Sequence, residues 1–122
     1  MSTEYTMQHP ASGRVYCLLG NAARNRQTVT YSDVAEAMGV AAEWPHWGPV
    51  WDLADAINTF ERAAGRPMLS ALIVHQWHDH RPGRGFFRCA IRFGHDVALD
   101  DPVGMEVFWQ DERDAVYKDW AA

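Results

Sequence analysis

The chain has 122 residues, 48% of them hydrophobic and 22% charged, with six tryptophans and a formal net charge of −5. That length fits one domain able to bury a core without staples, and the aromatic content excludes a disordered chain. The acidic balance excludes a protein that coats nucleic acid through general positive charge, so any basic surface must be local.

Residues 1–10 are polar and read as a flexible leader, with one domain expected over residues 11–122. No apolar signal core follows Met1 to Pro10, and no run approaches the roughly 20 residues that span a bilayer. A cytoplasmic protein with no membrane partner is the expectation. The two cysteines, Cys17 and Cys89, lie among apolar neighbours. Two cysteines make no disulfide framework, and both read as buried free thiols.

A first helix fits residues 11 to 24, with Ser12 as its cap and Val15, Leu18, Leu19 and Ala22 at helical spacing. Thr28-Val29-Thr30 is β-branched and suits a short extended stretch. Residues 30–39 read as a short helix, with Ser32 at its N-cap, Asp33 in its first turn and Gly39 at its C-terminal stop. A loop over 41–49 holds Trp44 and Trp47. A helix from Pro49 to Ala64 turns Val50, Leu53, Ala54, Ile57 and Phe60 inward. Asp52, Asp55 and Glu61 fall on its exposed side.

Met68 to Val74 is a nearly continuous apolar run whose length favours a buried strand. A polar excursion, His75 to Gly85, follows. Phe86 to Phe93 fits either the return strand of a hairpin or a helix. Asp100-Asp101-Pro102 opens a last helix to Trp120, with Val107, Phe108, Val116, Tyr117 and Trp120 able to dock. This order predicts an α+β fold of winged-helix type: three helices, a small β-hairpin wing and a C-terminal helix.

The segments Val15-Tyr16-Cys17-Leu18-Leu19 and Thr28-Val29-Thr30-Tyr31-Ser32-Asp33-Val34-Ala35, with Gly39, carry a resemblance over roughly residues 14–40. They resemble the start of the winged-helix domain of alkylguanine-DNA alkyltransferases and their catalytically dead alkyltransferase-like relatives. The resemblance implies a recognition helix after residue 40. It implies no activity, because the family's reactive Pro-Cys-His-Arg motif is missing. The corresponding stretch, Pro67-Met68-Leu69-Ser70-Ala71-Leu72-Ile73-Val74, has no cysteine, histidine or arginine. No catalytic residue carries over. Residues 65–74 and Pro82-Gly83-Arg84-Gly85-Phe86-Phe87 are also similar to a segment of uncharacterised bacterial and phage-borne proteins. That similarity implies a microbial origin and no activity.

Three groups of residues carry candidate chemistry. His75, His78 and His80, with Asp79, offer metal-binding donors, but no CxxC completes a standard site. A small metal-dependent hydrolase is the reading they would support; a solvated loop is the plainer one. Arg62, Arg66, Arg81, Arg84, Arg88 and Arg92 concentrate positive charge near residues 81–92, as phosphate contacts of a DNA-binding wing would. Asp52 and Asp55 oppose that reading, since carboxylates on a recognition helix repel the DNA backbone. With Trp44 and Trp47 they suit a protein partner, because tryptophans anchor interfaces.

The balance favours a non-catalytic macromolecule-binding module, a protein-interaction or adaptor domain with no cofactor. A DNA-binding winged helix is the second reading and the metal-dependent enzyme the third.

Overall fold

In the computed structural model, residues 5–41, 47–76 and 80–121 are described. They form α1 (Ser12–Arg24), β1 (Val29–Thr30), α2 (Tyr31–Met38), α3 (Gly48–Ala63), a 3-10 turn (Leu69–Leu72), β2 (Ile73–Val74), α4 (Arg84–Arg92) and α5 (Pro102–Asp119). The described chain is mostly helical, with one small sheet in which β1 and β2 pair in parallel, Val29 opposite Ile73 and Thr30 opposite Val74. This arrangement is compatible with an α+β fold. Among the described residues no helix is long and apolar enough to cross a membrane.

The expected β-hairpin wing is not among the described elements. Its return segment is helix α4. The reason lies in the spacing. Phe86, Phe87 and Ala90 point inward while Arg84, Arg88 and Arg92 recur every four residues on the outside, which is helical rather than alternating.

The expected strand over residues 68–74 forms as a strand only at Ile73 and Val74; Leu69–Leu72 coil as a 3-10 turn. The whole run is buried. Side chains from two helices meet its backbone groups. Asn58 Oδ1 accepts from Ser70 N at 3.1 Å and a Glu112 carboxylate oxygen accepts from Met68 N at 3.0 Å. Trp109 Nε1 donates to Ala71 O at 2.8 Å.

Helix α1 buries Val15, Leu19, Ala22 and Ala23. Ser12 does not cap it; its hydroxyl donates to Met7 O at 2.6 Å and ties the leader to the helix. The cap of α2 is Thr30, two residues before the expected Ser32. Thr30 Oγ1 accepts from Asp33 N at 3.1 Å, and Asp33 Oδ2 accepts from Thr30 N at 3.0 Å. This reciprocal box lets the helix begin at Tyr31 and bury its ring. Gly39 closes it at φ 71°, where a side chain would be strained.

On α3 the buried stripe is Val50, Leu53, Ala54, Ile57, Asn58 and Glu61. Phe60, expected inward, is 50% exposed, and Glu61, expected outward, is fully buried. From Ile57 the inward position one turn on is 61, and Glu61 is tolerated there because Tyr16 Oη donates to it and Arg66 Nε lies 3.2 Å from its other oxygen. Helix α5 is capped by Asp101 and buries Trp109, Val116 and Tyr117. Val107, expected to dock, is 53% exposed.

Gly85 lies under Trp51. A Cβ built there would sit 2.4 Å from Cδ2 of that indole. Replacing a helical glycine by alanine ordinarily stabilises by up to about 1 kcal/mol. Here the overlap with a rigid ring outweighs that gain, and Gly85→Ala is expected to destabilise by roughly 1–3 kcal/mol in denaturant unfolding. Unchanged or increased stability would show that Trp51 does not pack on α4.

Candidate interaction surface

Tyr31 organises the loop side of the domain. Its ring centroid lies 5.5 Å from Trp47, 5.4 Å from Trp51 and 4.7 Å from His75. Its hydroxyl accepts from Gly83 N at 2.7 Å, and His75 N donates to Arg81 O at 2.9 Å. These bonds bring the end of β2 and the start of α4 together. Burial pushes the Tyr31 phenol far above its usual range, so it stays protonated.

Trp47 and Trp51 are therefore half-buried packing partners of Tyr31. Trp44 lies outside the described residues. The histidines separate. His75 is held in the aromatic cluster, His80 is exposed at φ 53°, and His78 lies outside the described residues. Among the described residues no three His, Cys, Asp or Glu side chains gather to hold a metal ion.

Four of the six candidate arginines are engaged within the chain. Arg62 Nη2 donates to Phe93 O at 3.2 Å, with its guanidinium over the Phe93 ring. Arg66 pairs with Asp119 at 2.7 Å and lies over Trp120. Arg81 pairs with Glu106 at 2.9 Å, and Arg92 with Asp55 at 2.7 Å. Arg84 and Arg88 are exposed and make no ion pair or hydrogen bond among the described residues. They stand one turn apart on α4, with Ile91 and Arg92 continuing the same outer face.

The acidic candidates divide in the same way. Asp52 is exposed on α3, while Asp55 is half-buried and neutralised by Arg92. Along the outer side of α3, Ala56, Thr59, Phe60 and Ala63 face the leader residues Tyr5 and Met7 across an apolar groove of about 400 Å³. A groove of about 760 Å³ sets Arg62, Arg66 and Lys118 against Glu112 and Asp119, with His95 beside them, and Arg66 pairs there with Asp119.

A smaller cleft of about 250 Å³ separates the start of α4 from the start of α5. Its lining includes Arg81, Arg84, Phe87, Leu99, Met105 and Glu106. The residue pattern does not reveal this cleft, because it forms only where the start of α4 meets the start of α5.

No family model, curated protein or solved structure matches this chain.

Of the two cysteines, both expected to be buried, only Cys89 is. Asn58 Nδ2 lies 3.6 Å from its sulfur. Burial, reinforced by the Asp55 carboxylate, pushes its thiol up to about 11. Cys17 is exposed, because it falls on the side of α1 opposite Val15 and Leu19. A thiol reagent at neutral pH is expected to label Cys17 promptly and Cys89 only on unfolding. Fast labelling that survives Cys17→Ser would contradict this assignment.

Burial, followed by the hydrogen bond and charge of Glu61, raises the Tyr16 hydroxyl from 10.0 to about 12. A pKa raised in the folded state gives stability that is present below the unfolded value and lost as pH climbs through the folded one. Stability should thus fall between about pH 10 and 12, with Tyr31 and Cys89, also raised, contributing in the same direction. Tyr16→Phe is expected to make that decline shallower in unfolding curves recorded across the range. An unaltered decline would mean that the Tyr16–Glu61 contact does not persist in solution.

Proposed function

We propose that this chain is a non-catalytic binding module of winged-helix type, of bacterial or phage origin, whose partner is a protein. The order α1, β1, α2, α3 and then a buried run accords with the resemblance read from residues 14–40. Its recognition helix would be α3.

The observation that carries the protein reading is the surface of that helix. Asp52 is exposed on it, Asp55 is tied to Arg92, and the leader residues Tyr5 and Met7 line its outer side. Such a face repels a phosphate backbone and has little free width to enter a groove. Most of the candidate arginines already meet internal partners, so little positive charge is left for phosphates.

Titration with random-sequence duplex DNA across salt concentrations tests this. No saturable shift is expected at about 0.15 M salt, where exposed charges interact over only about 8 Å. In the native host, a photo-cross-linker at the exposed position 103 is expected to trap polypeptide and no nucleic acid. Saturable duplex binding with a steep salt dependence, or a cross-linked nucleic acid, would overturn the protein reading.

A further inference from the structure

Resting on the protein-binding reading, we propose that the cleft between α4 and α5 binds an acidic peptide segment of the partner. One large apolar side chain of that segment sits on Phe87, Leu99 and Met105, and its carboxylates meet Arg84 and Arg88.

The cleft has the size and floor for a single anchor. About 250 Å³ opens between the two helices, over one buried and two half-buried apolar residues. Val103 and Val107 are exposed further round α5 and do not line the cleft. A preformed cleft with an apolar floor marks a place where a partner side chain leaves water.

Charge selects the rest of the segment. Arg66, Arg81, Arg92 and Arg113 each meet a carboxylate of this chain. Arg84 and Arg88 do not, although the chain carries a net charge of −5 and offers carboxylates elsewhere. Arg84 lines the cleft and Arg88 stands one turn beyond it. Guanidinium forks pair with carboxylates in a directed, two-bond geometry, so the pair reads discrete acidic side chains next to the anchor.

A polynucleotide fits the same surface poorly. The opposite wall carries Glu106, and Asp100 and Asp101 are exposed at the start of α5. A continuous chain of phosphates leaving the arginines would meet those carboxylates, whereas a peptide places its charges only where they are wanted.

A phage-displayed random peptide library panned on the full chain supplies the probe. Enriched sequences are expected to place Leu, Met, Phe or Trp beside Asp or Glu. Binding of one enriched peptide is then followed by fluorescence anisotropy. The double substitution Arg84→Glu with Arg88→Glu should weaken it by roughly tenfold, since each change turns an attraction into a repulsion. Exchanging the peptide's acids for lysine should restore binding to that variant. Leu99→Ala with Met105→Ala should weaken the original peptide while leaving its salt dependence intact. Arg84 and Arg88 are exposed, so the thermal transition of the charge variant should stay in place.

Enrichment of sequences without acids, the absence of any enrichment, or binding that ignores Arg84 and Arg88 would each overturn the proposal. Of these, peptides that bind elsewhere on the domain would leave the protein-binding reading standing. Saturable binding of duplex DNA through Arg84 and Arg88 would remove both.

Discussion

The structure depends on how the backbone of residues 68–74 is satisfied. This run is buried throughout, yet only Ile73 and Val74 have a strand beside them. A buried amide or carbonyl with no partner costs about 1–3 kcal/mol, so the remaining groups need donors and acceptors from elsewhere. Asn58 on α3 and Glu112 and Trp109 on α5 supply them. Each bond fixes a helix as well as an amide. Helix α3 cannot rotate without withdrawing Asn58, and α5 cannot slide without withdrawing Trp109 or Glu112. The buried polar residues are therefore part of what sets the angle of the helices around the core.

Much of this could be read from residue spacing. Helix α2 shows its acid-bearing first turn and its glycine stop, and α5 its Asp-Pro start, because caps and stops are local chemistry. The apolar run was visible as buried but not as coiled, since continuous hydrophobicity carries no period to distinguish a strand from a 3-10 turn. Phe60 and Glu61 exchanged roles because hydrophobicity and helical phase disagree there. Phase prevails once Tyr16 and Arg66 neutralise the buried acid. Cys17 was misjudged from its neighbours in sequence, when on a helix the neighbours that matter are three and four residues away. The α4–α5 cleft depends on tertiary placement, which residue spacing does not carry.

Composition and surface charge tell different stories. Six arginines near one another suggested a basic face, but an arginine counts toward a surface only when its charge is not already met. Arg66, Arg81 and Arg92 are met by Asp119, Glu106 and Asp55, which leaves α4 with two uncompensated charges rather than a broad field. The same pairing removes Asp55 and Asp119 from the acidic side. What α4 presents is therefore two charges at defined positions, which favours selective contacts over diffuse attraction.

The parallel pairing of β1 with β2 has a consequence for the route by which the chain folds. The two strands stand at the ends of a loop that contains α2 and α3, so their ladder forms only after that loop closes. Closure costs entropy before two residue pairs return anything, whereas the α2 capping box and the turns of α3 need only neighbours in sequence. The helices are thus the early units and the sheet the late one. Substitutions at Val29 or Ile73 should then act mainly on how fast the native state opens, and substitutions within the α2 cap more on how fast it forms.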